Sequence, residues 1–209
     1  MEGEELLRRY AAGERDFSWV DSIDADEELR GVVLRDINLS GVDLLADFTD
    51  ADLSGANLVG CTLDCYFDNT KLVGSNLFAA DVELCSFEEA ILDGANLRGI
   101  RGGEINFEDA SFINADLSSP PPSDLTVRGT YLPQCRFDGV NFTNANLSGV
   151  DFSHSGFYGA NFTGANLRDA IEFRNIGDAI FSNTIMPDGS IWYDSIGYKS
   201  PPTSFRRSR

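Results

Sequence analysis

Large apolar residues recur at about every fifth position of this chain from Leu29 to Leu167. Ala51-Asp52-Leu53-Ser54-Gly55 and Ala56-Asn57-Leu58-Val59-Gly60 are near copies. So are Ala95-Asn96-Leu97-Arg98-Gly99, Ala145-Asn146-Leu147-Ser148-Gly149 and Ala160-Asn161-Phe162-Thr163-Gly164. Each block has a large apolar centre, a small residue two places before it, and Asp or Asn between. A period of five matches neither the 3.6 of a helix nor the 2.0 of a plain strand, so the chain must turn by a fixed angle once per block.

Every fourth centre forms a column. Phe48, Phe67, Phe87 and Phe107 make one, and Leu58, Leu77, Leu97 and Leu117 another, which gives a square coil of roughly twenty residues. Two blocks are one residue short, Leu44 to Phe48 and Leu63 to Phe67, both just before the Phe column. An uninterrupted block count puts Gly102 and then Pro122 at the fourth column's centre, and puts Arg128 and Arg168 on the Phe side. Pro120-Pro121-Pro122 cannot donate to a backbone ladder, so an excursion is expected over 118–126, with five-residue spacing resuming at Leu132.

The ends follow other rules. Glu4 to Ala12 carries helix-forming residues with Leu6, Leu7 and Tyr10 on one side and Gly13 as a stop, a short amphipathic helix covering one open end. Residues 16–28 are expected to be an irregular first turn. After Asp169 the spacing fades, and Ile185-Met186-Pro187-Asp188-Gly189-Ser190-Ile191 predicts a hairpin turning at Pro-Asp-Gly. The expected division is 1–28 N-terminal cap, 29–169 repeat, 170–193 C-terminal cap and 194–209 flexible tail.

The blocks resemble the pentapeptide-repeat family, whose loose consensus is A(D/N)LXX, over roughly residues 29 to 169. The resemblance implies an all-β solenoid, a right-handed quadrilateral parallel β-helix with the small and large positions inside and the other three outside. The block count gives about seven coils, and at ~4.8 Å per coil a rod roughly 34 Å long. The stretch from Leu6 to Phe17 and the Met186-Pro187-Asp188-Gly189-Ser190 ending are similar to those of cyanobacterial members.

Charge changes the picture. The chain has 209 residues, with 34 acidic against 16 basic and a net charge of −18. That excludes a basic nucleic-acid binder, while 15 Phe argue against disorder. No apolar run reaches the roughly 18–20 residues of a membrane span, and the start, Met1-Glu2-Gly3-Glu4-Glu5, is acidic where a secretory signal is basic. The expected location is the cytoplasm.

Residues 36–127 hold 17 acids and three bases, whereas 128–209 hold seven and eight. On the Phe side the residue after the centre is Asp68, Glu88 and Glu108. The next position gives Asp50, Asn69, Glu89 and Asp109, and the adjoining side adds Asp64, Asp81, Glu83 and Glu104. Of these, Asp50, Asp68, Glu88, Glu89, Glu108, Asp109, Asp81 and Glu83 are the candidate interaction surface. Like charges about 5 Å apart repel by roughly 1–3 kcal/mol per pair at effective dielectrics between water and a protein surface, which salt reduces. A solvated face that keeps the protein soluble is the plainer account of them.

Little else carries chemistry. Cys61, Cys65, Cys85 and Cys135 all occupy the small inward position and read as core. Although Cys61 and Cys65 have a metal-like spacing, they fall on adjacent sides and no His accompanies them. His154 stands outward, two after Phe152. No phosphate loop, calcium repeat or nucleophile–base pair is present, so no catalytic, cofactor or metal residue is assigned and the chain reads as a non-enzyme. The expectation is a monomeric, regulatory protein-interaction scaffold for a partner with a basic surface, without direct nucleic-acid or membrane binding. Some cyanobacterial members are implicated in developmental signalling. The alternative is a DNA-mimicking modulator of DNA gyrase acting through the acidic stripe. The resemblance weakens that alternative, because gyrase-binding members are typically dimers joined at C-terminal helical ends, and this tail has no long amphipathic helix.

Overall fold

The structure is a computed structural model that describes residues 1–25, 27–120 and 128–193. Most five-residue blocks close with a β-turn. The N–H of the next small residue donates to the carbonyl of the preceding centre, as from Ala51 to Phe48 (2.9 Å) and from Ala56 to Leu53 (3.0 Å). The residue before that donor has positive φ, 72° at Gly55 and 56° at Asn69, the geometry of a type II turn. Gly at the block ends takes up this conformation without a Cβ penalty.

The two short blocks lack the positive-φ residue, so the chain runs on extended through that corner as β2 (Asp43–Asp47) and β3 (Thr62–Tyr66). Together with β1 (Ser22–Ala25) they form a parallel sheet in the order β1-β2-β3, with Leu44 opposite Leu63 and Ala46 opposite Cys65. Elsewhere the walls are stacked single bridges, each parallel. One side runs Val33, Asp52, Lys71, Ile91, Ser111, Asn141, Asn161; the next runs Asn38, Asn57, Asn76, Asn96, Asp116, Asn146, Asn166. A third passes from Thr62 through Asp81, Arg101, Tyr131 and Asp151, and the fourth from Tyr66 through Ser86, Asn106, Arg136 and Gly156. Four ladders make a four-sided parallel β-helix.

The core is the stack of inward columns. Along the fourth side Phe48, Phe67, Phe87, Phe107, Phe137 and Phe157 lie ring on ring, with successive centroids 4.8–5.4 Å apart. All are fully buried. On the Asn side the amides form their own ladder: Asn57 Nδ2 donates to Asn38 Oδ1 (2.8 Å) and Asn96 Nδ2 to Asn76 Oδ1 (2.9 Å). At Gly102 a Cβ would meet the backbone of Val82 and Glu83 at 2.8 and 2.9 Å. The missing centre is offset by Ile105, a large residue at a normally small position and fully buried.

The block count across the prolines needs correction. Arg101 bridges to Tyr131 and Asn106 to Arg136, so these partners are thirty residues apart where most neighbours are nineteen or twenty. Leu132, not Pro122, follows Gly102 in its column, on the side of the Asp81–Arg101–Tyr131 ladder, and Phe137 and Phe157 continue the Phe column. Arg168 consequently stands beside Asn166 on the Asn side. Arg128 lies in the extra segment. The segment leaves and re-enters at one corner, because the ladder demands that coils stack whatever lies between them. Ser118, Ser119 and Thr130 close its base: Thr130 Oγ1 donates to the Ser118 carbonyl (3.1 Å) and Ser119 Oγ to that of Gly149 (2.7 Å). Of the excursion expected at 118–126, residues 121–126 lie outside the described residues, as does the tail expected at 194–209.

At the N-terminus, α1 (Gly3–Ala11) buries Leu6 completely, and Leu7 and Tyr10 pack against the core. A Cβ on Gly3 would meet that of Ala25 at 2.9 Å, so the close approach requires glycine. Gly13, with φ 98°, ends the helix: its N–H donates to the Tyr10 carbonyl and that of Glu14 to Arg9. Within 16–25, Phe17 and Ile23 are buried and Asp16 bridges to Asn38. At the other end β4 (Thr184–Ile185) pairs antiparallel with β5 (Ile191–Trp192), and the turn is closed by Met186 N–H to the Ser190 carbonyl (2.8 Å).

Candidate interaction surface

The turns that carry the acidic residues are stacked by the backbone itself. On the Phe side the N–H of each positive-φ residue donates to the carbonyl of the residue after the next Phe. Asp50 donates to Asp68 (3.0 Å), Asn69 to Glu88 (2.8 Å), Glu89 to Glu108 (2.9 Å) and Asp109 to Asp138 (2.9 Å). Asp50, Glu89 and Asp109 have φ of 64°, 56° and 56° and are exposed. The structure thus brings Asp50, Asp68, Glu88, Glu89, Glu108 and Asp109 into register on one side. Asp81 and Glu83 are exposed on the adjoining side, where Asp81 accepts the Glu83 N–H at 3.3 Å.

A row of donors interleaves with the acids, a feature the residue count did not bring out. Asp68 accepts the Ser86 hydroxyl and the Glu88 N–H (3.0 Å). Glu88 accepts Asn106 Nδ2 (3.0 Å). Glu108 pairs with Arg136 (2.8 Å), which also reaches Asp138 (3.2 Å). Each donor stands one residue before a column Phe, so the signal was present in Ser86, Asn106 and Arg136. The arrangement answers part of the repulsion within the side chains of the stripe. It also leaves the positive-φ row, Asp50, Glu89 and Asp109, facing solvent. Neither Arg128 nor Arg168 stands on the Phe side, where the block count puts them; the stripe ends where Arg136 is paired between Glu108 and Asp138, with Tyr158 next on the same side.

The four cysteines all face inward and are buried. The Cys61 thiol donates to the Leu39 carbonyl (3.0 Å) and that of Cys85 to Leu63 (3.2 Å), as the hydroxyls of Thr70 and Ser155 do to Phe48 (2.6 Å) and Leu132 (2.8 Å). Burial pushes the thiol of Cys61 up to about 11 and those of Cys85 and Cys135 up to about 12. It also raises that of Cys65 well above the ordinary range. His154 is exposed at a turn position with φ 65°. Among the described residues no group of His, Cys, Asp and Glu is placed to hold a metal, and no helix is long and apolar enough to cross a membrane.

Several large apolar residues stand at outward positions of the coils. Leu45, Tyr66 and Leu84 are exposed around the corner between the Asp81 side and the Phe side.

A family model described as pentapeptide repeats matches residues 28–64, 46–81, 65–101, 127–157 and 135–171. Among solved structures the chain is similar to HetL, a pentapeptide repeat protein involved in heterocyst differentiation regulation from the cyanobacterium Nostoc sp. strain PCC 7120. Identity is 24% over 92% of this chain and 100% of that one, with a TM-score of 0.26. It is also similar to Rfr23 from the cyanobacterium Cyanothece 51142, at 24% identity over 86% and 96% of the two chains and a TM-score of 0.20. The plasmid-mediated fluoroquinolone resistance protein QnrB1 matches at 21% identity over 76% and 84%, with a TM-score of 0.40. No curated protein matches.

Proposed function

The chain belongs to the pentapeptide-repeat family and is a right-handed β-helical solenoid, and from that premise we propose that it is a non-catalytic, regulatory scaffold that binds a partner protein through its outer faces. In this reading α1 and the C-terminal hairpin close the ends of a stack of about seven coils, and the protein works as a cytoplasmic monomer. The partner presents a basic surface to the acidic Phe side. The observation that supports this is the row Asp50, Glu89 and Asp109, held in register by backbone hydrogen bonds and turned to solvent. Self-repulsion in a fixed row costs stability, and a basic groove relieves it.

The test is affinity capture from the native lysate at rising salt, comparing wild type with Glu88→Lys/Glu89→Lys. Proteins retained by wild type at low salt and lost from the variant support the reading. Identical retention by both overturns it.

The acidic side as a whole, with Asp50, Asp68, Glu88, Glu89, Glu108 and Asp109 in register, supports a second reading, mimicry of nucleic-acid phosphates toward DNA gyrase. A supercoiling assay with neither inhibition nor protection from quinolones removes it.

A further inference from the structure

Leu84 is the residue the fold explains least. It occupies the positive-φ position of its turn, with φ 65°, and is 65% exposed. The left-handed region costs an L-residue roughly 1–2 kcal/mol, and a side chain largely in water recovers little of it. On later coils the same corner position is polar, Glu104 and Gln134. Strain kept where packing does not reward it points to a role outside the fold.

Leu84 has neighbours of the same kind. Tyr66 is 59% exposed on the ladder that carries Ser86 and Asn106, and Leu45, 48% exposed, lies opposite Asp64 in the β2–β3 pairing. With coils ~4.8 Å apart and ~3.3 Å per residue along the chain, Leu45 and Leu84 each lie about 8 Å from Tyr66. Asp64, Asp81 and Glu83 are exposed on the same side. Leu45 and Leu84 lie two coils apart with Asp64 on the coil between them, so exposed apolar residues alternate with carboxylates over three coils, the mixed apolar and polar surface from which protein–protein interfaces are built.

We infer that Leu45, Tyr66 and Leu84, interleaved with Asp64 and flanked by Asp81 and Glu83, form a docking site for a partner protein segment that pairs apolar side chains with Lys or Arg. Charge complementarity selects that partner: the carboxylates disfavour an acidic or neutral segment, and the apolar side chains give a polycation without apolar residues nothing to bury. The inference rests on the scaffold reading above and adds to it the partner's chemistry and its place of contact.

The test is selection of peptides from a random library displayed on phage against the immobilised full chain. Recovered peptides are then titrated against wild type, Leu84→Gly/Tyr66→Ser, Asp64→Asn/Glu83→Gln and Glu88→Lys/Glu89→Lys, with thermal melting to verify that each is folded. The expected peptides carry adjacent apolar and Lys or Arg residues, and both corner variants weaken them about tenfold or more. Acidic or neutral winners overturn the inference, as does an empty selection or binding that both corner variants leave unchanged. Basic peptides insensitive to the corner but lost in Glu88→Lys/Glu89→Lys overturn this site while sparing the scaffold reading, and binding that no acidic substitution alters fails both. Self-association of the chain that Leu84→Gly/Tyr66→Ser abolishes would make the occupant a second copy and also overturns it.

Discussion

Phe87 is the sharpest place to test how the coils hold together. Its ring lies 4.8 Å from Phe67 on one side and 5.1 Å from Phe107 on the other, tilted by 14° and 17°, and it is fully buried. Truncation to Ala removes both stacks and leaves a gap between two rings that cannot close, because the backbone ladder holds adjacent coils ~4.8 Å apart. A site that cannot collapse lies toward the costly end of Phe truncations, about 4 kcal/mol within a range of roughly 3–5. Phe87→Leu keeps most of the volume, and Leu fills the same inward position in the neighbouring columns, so it should cost about 1.5 kcal/mol or less. Guanidinium unfolding followed by circular dichroism measures both. Nearest-neighbour coupling also implies that a central break weakens the stack more than one at its end, so Phe87→Ala should exceed Phe181→Ala. A cost for Phe87→Ala below about 1.5 kcal/mol, or equal to that of Phe87→Leu, would mean that the coils close over the gap and that the ladder does not hold them apart.

Other consequences follow from the turns, the ladders and the inward thiols. Leu84→Gly relieves the left-handed strain and should raise stability by about 0.5–1 kcal/mol net of glycine's extra chain entropy; a lower unfolding midpoint contradicts this. Asn96→Ala removes the donor to Asn76 and the acceptor of the Arg98 N–H, and should cost about 1–2 kcal/mol in the same assay. The Arg35 guanidinium beside Asp52, helped by Ser54, holds that carboxyl down to about 2. A depressed carboxylate contributes stability above its ordinary pKa and loses it as pH falls through the folded value. The difference in melting temperature between wild type and Arg35→Met should therefore shrink from about pH 4 to pH 2, and a constant difference refutes the pairing. The four cysteines should react with a thiol reagent only on unfolding, and prompt labelling of the native protein would show that they are not inward.

Much of the fold was legible because the repeat is short and its inward positions tolerate few residue types. Phe48, Phe67, Phe87 and Phe107 declare a column by spacing alone, and the short blocks at Leu44 and Leu63 fall where the positive-φ turn residue is dropped. The sides after the prolines were not legible. Five-residue spacing resumes at Leu132, but spacing does not record how many sides of the square the extra residues cover, and it takes the thirty-residue bridges, Arg101–Tyr131 and Asn106–Arg136 among them, to show that they cover none. In the candidate surface, the acidic rows followed from the block count, whereas their partition did not. Asp68, Glu88 and Glu108 are engaged by Ser86, Asn106 and Arg136 on the next coil, a relation between residues 18 to 28 apart. Leu45, Tyr66 and Leu84 were invisible for a different reason: single outward apolar residues are common, and only the coil stacking gathers these three.

We propose that the position of the charge, not its amount, recruits the partner. The most direct measurement compares two variants of equal net charge for capture of lysate proteins at fixed salt. One neutralises the solvent-facing row, Asp50→Asn/Glu89→Gln/Asp109→Asn. The other neutralises three exposed acids elsewhere, Glu4→Gln/Asp21→Asn/Asp178→Asn. The first should lose the salt-sensitive partner about tenfold or more while the second retains it. Equal loss from both, or retention by both, contradicts it.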